Sequence, residues 1–251
     1  MLQPIVALAR RAGALLLDGL KRGPTVELKS PYEVVTEMDR ASEQLIVNTL
    51  VELHPTHAII AEEGTAVEHD SEYLWLIDPL DGTNNYAHGF PMFCVSIGLM
   101  RNRQLELGVI YDPVHDEIFA GQAGVGAWRN GHRLHVSKTP TLAAALVSTG
   151  FPYDYAKMID NNRDQFDRIQ SRSQGVRRAG SAALDLCYVA CGRLDAHWEL
   201  RLKPWDSAAA ALIVREAGGT LTDWRGGEWN PWSHDLIASN GLIHTEILDC
   251  M

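Results

Sequence analysis

The chain has 251 residues, of which 46% are hydrophobic, so it holds enough apolar material for one large globular unit or two closely packed lobes. Acidic residues outnumber basic ones 32 to 22, which gives a formal net charge of −10, and no run of lysine and arginine marks a track for a phosphate backbone. This balance argues against nucleic acid as the main partner and against a nuclease.

The sequence carries no pattern of export or membrane insertion. Apolar residues near helical spacing come first and Arg10 and Arg11 follow, which is not the charged-then-apolar order of a signal peptide. No uninterrupted apolar stretch approaches the length of a bilayer crossing. The four cysteines are too few and too scattered for a disulfide framework or a zinc knuckle. We therefore expect a cytoplasmic protein with no membrane partner.

Two helices followed by strands are predicted up to about Lys138. Apolar positions at helical spacing indicate helices over 4–20 and 39–53. Runs rich in β-branched and aromatic residues predict strands over 73–77, 93–100, 105–111 and 117–120, and a hairpin over 128–136 around the Asn130-Gly131 turn. These elements form a predicted N-terminal α+β lobe over 1–138.

Strand and helix patterns alternate after Lys138. The predicted strands are 144–148, 195–200, 219–223 and 236–239. The predicted helices are 162–170, 181–191 and 207–217. This alternation indicates a C-terminal α/β lobe over 139–251, packed against the first lobe as one unit.

The segment Asp78-Pro-Leu-Asp-Gly-Thr83 places several reactive groups together. An apolar run breaks at its Asp-Pro pair, which predicts the end of a buried strand, where open α/β sheets place their ligands. Asp78 and Asp81 would emerge there as hard oxygen ligands, although Asp and Pro are also common in plain turns. Gly82 lets the backbone approach a ligand, and Thr83 is placed to cap a helix whose free N–H groups face a phosphate. The segment therefore indicates a site that binds both a metal ion and a phosphate group.

Three further acidic positions accompany this segment, and each has a structural alternative. Glu62 begins a pair of adjacent glutamates after a short apolar run, at another predicted strand end, but such pairs are usually on the surface. Asp39 forms a capping-box pattern with Thr36, and Asp206 has the pattern of a helix N-cap. These patterns leave open whether the carboxylates bind a ligand or only stabilise their elements.

The separated motifs fit a single pattern when they are taken together. They are Lys29-Ser30, Val35-Thr36 with Asp39, Glu62-Glu63-Gly64, Asp78-Pro-Leu-Asp-Gly-Thr-Asn-Asn-Tyr86, Phe90-Pro91, Ser96-Ile-Gly98, Gly180-Ser-Ala-Ala-Leu-Asp185, Trp198-Glu199, Trp205-Asp206 and Glu216-Ala-Gly-Gly219. This set resembles the inositol monophosphatase family over nearly the whole chain. The resemblance implies a layered αβαβα sandwich of the sugar phosphatase type and a magnesium-dependent phosphatase, usually a homodimer and sensitive to lithium.

The resemblance also implies the metal ligands. Glu62, Asp78 and the main-chain carbonyl of Leu80 correspond to ligands of a first Mg²⁺; Asp78, Asp81 and Asp206 correspond to ligands of a second; a third, weaker ion would lie near Glu62. Carboxylates about 4 Å apart repel by about 4 kcal/mol at an effective dielectric of about 20, so such a cluster needs divalent cations. Donors that are all oxygen favour Mg²⁺ or Mn²⁺ over Zn²⁺.

Catalytic and substrate contacts are implied in the same way. The catalytic groups around the attacking water correspond to Thr83, Asp39 and Glu62. The phosphate and substrate contacts correspond to Asp81, Gly82, Thr83, Ala182, Glu199 and Asp206, with Ala182 and Glu199 at the ring hydroxyls.

The sequence thus predicts a Mg²⁺-dependent phosphomonoesterase that uses metal-activated water on inositol 1-phosphate or a related polyol or sugar phosphate. Asn85 before Tyr86 resembles the inositol phosphatase branch more than the histidinol-phosphate branch. Histidinol phosphate and fructose 1,6-bisphosphate are the alternative substrates. A nucleotide 3′-phosphatase is disfavoured, because no basic and aromatic pocket for an adenosine is evident. A regulatory or scaffolding protein that retains the phosphatase fold is the alternative of another class.

Overall fold

The computed structural model describes residues 2–30 and 32–251. The α-helices are α1 Leu2–Arg22, α2 Glu37–Leu53, α3 Thr83–Ala87, α4 Arg163–Gln170, α5 Ala182–Ala190, α6 Pro204–Glu216 and α7 His244–Leu248. The strands are β1 Val26–Ser30, β2 Glu33–Thr36, β3 Ala58–Ala61, β4 Ala66–Val67, β5 Tyr73–Asp81, β6 Cys94–Arg101, β7 Gln104–Asp112, β8 Glu117–Gln122, β9 Gly126–Arg129, β10 His132–Arg133, β11 Leu146–Thr149, β12 Gly175–Arg177, β13 Ala196–Leu200, β14 Thr220–Thr222 and β15 Asp235–Ser239. Within the two described ranges, no helix has both the length and the apolar character of a membrane crossing.

The larger sheet has eight strands in the order β10-β9-β8-β7-β6-β5-β3-β4. Its pairs are antiparallel except for β3 and β5, which are parallel. Alternate residues along a strand point to opposite faces, and both faces are apolar here. Trp75 and Ile97 pack with α1 and α2 on one face, whereas Leu76 and Phe119 pack with α5 and α6 on the other.

The smaller sheet has five strands in the order β12-β11-β13-β15-β14. β11 is parallel to both neighbours, while β15 is antiparallel to β13 and β14. One face contributes Leu236 and Ala238 to the core built around α5 and α6, and the other face packs Trp198 and Ile237 against α4 and α7. The order of layers is therefore helices, sheet, helices, sheet, helices, which confirms the predicted αβαβα sandwich.

The predicted boundary at Lys138 falls in the connection between the two sheets. The larger sheet lies within 58–133 and the smaller within 146–239. α5 and α6 come from the second part of the chain, yet they share one core with the larger sheet. The division into lobes 1–138 and 139–251 stays a prediction, because this middle layer belongs to both sheets.

Several element boundaries differ from those that the sequence predicts. α2 begins at Glu37 rather than at residue 39, and α6 begins at Pro204 rather than at residue 207, since proline is well suited to a first helical turn. The hairpin around Asn130-Gly131 is short, because β10 contains only His132 and Arg133. The β1–β2 hairpin, β12 and α7 are short elements that the sequence does not predict, whereas α3 is the helix expected after Gly82.

Candidate active site

β5 carries two of the predicted acidic residues, but it does not end at the first of them. The strand continues through Asp81, with Asp78 opposite Ser96, Asp81 opposite Cys94, and an irregular register between the two pairs. Pro79 lies in this irregular segment, where a missing N–H group is tolerated. The prediction that the strand ends at the Asp-Pro pair is therefore wrong, and the bulge spaces the two carboxylates.

Three carboxylates from three elements meet beside this bulge. Oxygen atoms of Glu62, Asp78 and Asp206 all lie within 4.8 Å of one another. Glu62 directly follows β3, Asp78 lies on β5, and Asp206 lies in the first turn of α6. β3 and β5 are parallel neighbours, so their carboxyl ends meet at one edge of the sheet. If each carboxylate only capped its helix or lay on the surface, the three would have no reason to converge.

Burial makes the charged form of each of these groups unfavourable. It raises the pKa of Glu62 to about 7, and it raises the pKa of Asp78 and Asp206 well above the usual range, with further repulsion among the three carboxylates. Lys29 acts in the opposite direction on Glu62, with Nζ 3.7 Å from Glu62 Oε1. The donor set is entirely oxygen and over-rich in negative charge, so it fits a hard divalent cation such as Mg²⁺.

Asp206 serves α6 from a position other than the predicted N-cap. Lys203 is the N-cap residue, and Asp206, three residues later, accepts a hydrogen bond from the Lys203 backbone N–H at 2.7 Å. The Ser96 hydroxyl donates to the carbonyl of Trp205 at 3.2 Å and ties this turn to β6. The Asp206 carboxylate is thus held by the start of α6 while it also belongs to the cluster.

Asp81 lies apart from the three-carboxylate cluster and faces the beginning of α5. Its Oδ2 accepts hydrogen bonds from the Ser181 hydroxyl at 2.6 Å and from the Ala183 backbone N–H at 2.9 Å. Burial raises its pKa to about 6, although these hydrogen bonds act in the opposite direction. Asp81 nevertheless lines the same cleft as the other acids.

Thr83 and Asp39 form a hydrogen-bonded pair next to the cluster. The Thr83 hydroxyl lies 2.8 Å from Asp39 Oδ1 and 3.0 Å from the carbonyl oxygen of Leu80. Asp39 Oδ2 accepts from the backbone N–H and the hydroxyl of Thr36, so the predicted capping box is present. Thr83 itself is not a helix cap, since Gly82 occupies that position. The Thr83 hydroxyl is engaged by Asp39 instead.

Gly82 and Asn85 fix the path of the chain around α3. Gly82 has φ 92°, a left-handed conformation, and a Cβ there would be 2.8 Å from the carbonyl oxygen of Met92. The Asn85 side-chain amide donates to the carbonyl of Met92 at 2.7 Å and to that of Ala179 at 2.8 Å. These contacts join α3 to the loop before α5 and bring both helix starts to the cleft.

The cleft has a volume of about 1100 Å³. Among the residues assigned by resemblance, those that line it are Glu62, Asp78, Leu80, Asp81, Gly82, Thr83, Ala182, Glu199 and Asp206. Asp39 does not line the cleft; it is buried behind Thr83. The structure therefore brings the assigned residues of both predicted lobes to one cavity.

A smaller pocket of about 380 Å³ adjoins the cleft. It is lined by Tyr32, Tyr153 and Tyr155 together with Lys157 and Arg178. No basic and aromatic pocket is evident from the sequence, whereas the structure contains one. The residues come from three separate loops, so no local pattern reveals the pocket. A nucleoside monophosphate therefore belongs among the substrates to be tested.

Several residues at the site have no assigned role in the sequence analysis. Lys29 on β1 reaches Glu63 at 2.5 Å. Glu43 on α2 accepts from the backbone N–H groups of Glu63 and Thr65 and so holds the turn after Glu62. His197 lies behind Glu199. The alternation of His197 and Glu199 along β13 is the one sequence signal that places these two side chains on the same face.

Comparison with known proteins agrees with the geometry. The profile of the inositol monophosphatase family matches residues 1–250. The protein named Nus factor SuhB from Pseudomonas aeruginosa is 44% identical over 250 residues, covering 97% of this chain and 90% of that protein. Inositol-1-monophosphatase from Synechocystis is 44% identical over 216 residues, covering 86% of this chain and 75% of that protein. The solved structure of inositol monophosphatase from Anabaena has a TM-score of 0.89 at 43% identity, covering 99% of this chain and 93% of that one. The chain therefore belongs to the inositol monophosphatase family, whose members are metal-dependent phosphatases.

Proposed function

We propose that the protein is a Mg²⁺-dependent phosphomonoesterase whose substrate is inositol 1-phosphate or a related polyol or sugar phosphate. The observation that carries this proposal is the convergence of Glu62, Asp78 and Asp206 beside the Thr83–Asp39 pair in one cleft. Three clustered carboxylates carry more negative charge than the neighbouring Lys29 can neutralise, and phosphate monoesters are substrates that metal ions help to hydrolyse.

The metal would be held by the three clustered carboxylates, with Asp81 and the Leu80 carbonyl as further oxygen donors from the same bulge. Two or three Mg²⁺ ions, or Mn²⁺, are expected from the family resemblance. When bound, such ions supply positive charge beside the phosphate and lower the pKa of water. The side chains of this chain supply the rest of the chemistry.

Thr83 and Asp39 are positioned to accept a proton from the attacking water. The Thr83 hydroxyl directs its proton to Asp39, so its oxygen has lone pairs free for a water in the cleft. Asp39 is held by two hydrogen bonds from Thr36 and does not need to move. Glu62, which lines the same cleft, would be a second carboxylate that can accept a proton from the attacking water. The backbone at Gly82 and Thr83, at the start of α3, is available to the phosphate oxygens.

Substrate selection is assigned to Glu199 and Ala182, which also line the cleft. A carboxylate such as that of Glu199 can accept hydrogen bonds from two ring hydroxyls. Family membership does not separate inositol 1-phosphate from fructose 1,6-bisphosphate or histidinol phosphate, so these stay alternative substrates. An apolar aryl phosphate lacks the hydroxyls and reports on chemistry alone.

The test is phosphate release from inositol 1-phosphate, fructose 1,6-bisphosphate, histidinol phosphate, a nucleoside 2′- or 3′-monophosphate and an aryl phosphate. We expect turnover with Mg²⁺, none after chelation with EDTA, and recovery when Mg²⁺ is added back. Full activity in excess EDTA, with the metal content of the protein measured, would reject the proposal. Inhibition by Li⁺ more than by Na⁺ is the further expectation from the family resemblance, as is a homodimer by light scattering.

A second, non-catalytic role is the alternative that one observation favours. The similar protein from Pseudomonas aeruginosa is named a Nus factor rather than a phosphatase. Replacement of the chromosomal gene by an Asp78→Asn allele separates the two roles, because this change removes a clustered carboxylate charge. Complementation of a gene deletion by this inactive allele would favour the regulatory role, whereas failure to complement would favour the enzyme.

A further inference from the structure

A buried histidine lies directly behind the glutamate assigned to substrate selection. His197 and Glu199 are two residues apart on β13 and therefore project from the same face of the strand. The His197 side chain is fully buried, and its Nε2 lies 3.2 Å from Glu199 Oε2. The two atoms are close enough for a hydrogen bond but are not aligned for one, so the contact depends on the electrostatic attraction between the ring and the carboxylate.

A second carboxylate approaches the other nitrogen of the ring. Asp185 on α5 places Oδ2 3.9 Å from His197 Nδ1, and the Ser148 hydroxyl of β11 lies 2.9 Å from the same nitrogen. Asp185 is also buried, and its Oδ1 has no hydrogen-bond partner among the described residues. Asp185 and Glu199 both line the cleft. The imidazole is thus placed between two acidic groups of the cleft wall.

The charged surroundings favour an imidazolium over a neutral ring. Burial alone would lower the pKa of His197, but the contact with Glu199 and the charge of Asp185 raise it overall. Burial raises the pKa of Asp185 to about 7, and His197 acts against this rise. The groups facing the ring are Glu199 on its own strand, Asp185 on α5, the Ser148 hydroxyl on β11 and, farther away, Asp81; the strand on the other side, β15, pairs His197 with Ala238.

We propose that His197 is the positioning residue for Glu199: as an imidazolium between Asp185 and Glu199, it holds the Glu199 carboxylate in place and directed at the ring hydroxyls of a polyol phosphate. This inference rests on the proposed function, since it says how that site selects its substrate. Without this cation, Glu199 would be one more carboxylate in a cleft that already holds Asp81, Asp78 and Asp206, and the repulsion among them would favour displacement of its side chain.

The position of the Glu199 carboxylate is restricted by Gly150 as well. Gly150, which follows β11, lies so close that a Cβ on it would overlap the Glu199 carboxylate. Its backbone is not in the left-handed region, so alanine is sterically acceptable to the chain itself. Gly150→Ala therefore displaces the Glu199 carboxylate without removing any charge, and it should lower selectivity in the same direction as the loss of His197.

The test compares His197→Gln and His197→Phe with the wild-type protein. Glutamine keeps an N–H group near the position of Nε2 but cannot carry the charge, and phenylalanine keeps only the ring shape. We expect each variant to raise KM for inositol 1-phosphate about tenfold or more, while kcat/KM for an aryl phosphate changes less than about threefold. His244→Gln is the matched control, because His244 is a buried histidine held by Thr222 and Ser239 and does not line the cleft.

NMR spectroscopy determines directly whether the His197 ring is charged. The ¹⁵N chemical shifts of the His197 ring near pH 7 should show protons on both nitrogens, and this signature should disappear in Glu199→Gln. Equal kinetic changes for the two substrates, or a neutral ring in the wild-type protein, would overturn the inference while leaving the phosphatase proposal intact. A wild-type protein that hydrolyses neither substrate with Mg²⁺ would overturn both.

Discussion

Asp206 combines two tasks that can be separated by a small change. Its carboxylate joins Glu62 and Asp78 in the cluster, and the same carboxylate accepts the backbone N–H of Lys203 at the start of α6. Asparagine retains an acceptor oxygen for that hydrogen bond but removes the charge that would face a divalent cation. The two roles therefore give different results for one substitution.

We expect Asp206→Asn to fold with a free energy of unfolding within about 1 kcal/mol of wild type in the absence of metal, because the helix start keeps its acceptor. We expect kcat with Mg²⁺ to fall by about 100-fold or more, since a charge at the metal site is lost. Chemical denaturation and phosphate release measure the two quantities. Asp164→Asn, in the first turn of the exposed helix α4, is the control and should change neither. Near-normal turnover in Asp206→Asn would leave Asp206 with its helix role alone.

The Thr83 hydroxyl is expected to matter for the chemical step rather than for folding. Thr83→Val keeps the side-chain shape and removes the group that Asp39 engages, so we expect kcat to fall by about 100-fold, a typical contribution of a positioned proton acceptor. Thr83→Ser keeps the hydroxyl and should retain most of the activity. The pair is compared by kcat with an aryl phosphate, and equal losses in both variants would contradict the proton-transfer role.

At the scale of residues, the sequence identifies the acidic residues of the site but not all of the residues that contact them. The spacing of Asp78 and Asp81 is visible in one short motif, and the resemblance locates Glu62 and Asp206. The role of His197 depends on Asp185 from another element, and that of Lys29 depends on the β1–β2 hairpin. Such contacts join distant parts of the chain, so neither periodicity nor local spacing could predict them.

Helix α6 carries Asp206, and its close packing on the larger sheet sets the position of that carboxylate. The helix presents the small residues Ala208, Ala209, Ala210 and Ala211 as part of the core. On β7, Gly108 lies directly beneath Ala209, so that a Cβ on this glycine would overlap the Ala209 backbone. The helix can approach the sheet this closely because no side chain stands between them.

Gly108→Ala is therefore expected to push α6 away from the sheet. We expect a loss of about 1 to 3 kcal/mol in the free energy of unfolding, the usual cost of overpacking, together with weaker Mg²⁺ binding because Asp206 moves with the helix. Denaturation and calorimetric titration with Mg²⁺ measure these effects. Gly175→Ala on the edge strand β12 is the control, since a Cβ there meets only the end of the Arg177 side chain and Leu146. Equal effects of the two substitutions would contradict this account.

At the scale of elements, the sequence predicts the long helices and strands but not most of the short ones. α1 and the central strands β5, β6 and β7 have enough apolar periodicity to identify them. β12 has three residues and α7 has five, too few for any period to appear. Their places are fixed by tertiary contacts instead, such as the pairing of β12 with β11. The predicted start of α6 is three residues too late because Asp206 has the pattern of an N-cap, whereas Lys203 is the N-cap and Pro204 is the first helical residue.

For the whole molecule, the concentration of carboxylates in one cleft makes stability depend on pH and metal together. Burial raises the pKa of Glu62 from 4.5 to about 7 and that of Asp81 from 3.8 to about 6 in the metal-free protein. A group with a raised pKa binds its proton more tightly in the folded state than in the unfolded state. Its contribution to stability is therefore complete below the unfolded pKa and is lost as the pH rises through the folded pKa.

We expect the metal-free protein to lose stability between about pH 5 and pH 8, by about 3 kcal/mol for Glu62 alone, since one pKa unit corresponds to about 1.4 kcal/mol. Mg²⁺ binds the ionised carboxylates and so competes with these protons, which means that saturating Mg²⁺ should raise Tm more at pH 8 than at pH 5.5. Thermal unfolding with EDTA or Mg²⁺ at both pH values measures the effect. Glu62→Gln cannot titrate at this position, so its metal-free stability should fall less between the two pH values, and its Tm should respond less to Mg²⁺ at pH 8. A wild-type protein whose Tm gains the same increment from Mg²⁺ at both pH values would show that the clustered carboxylates do not couple protons to metal binding.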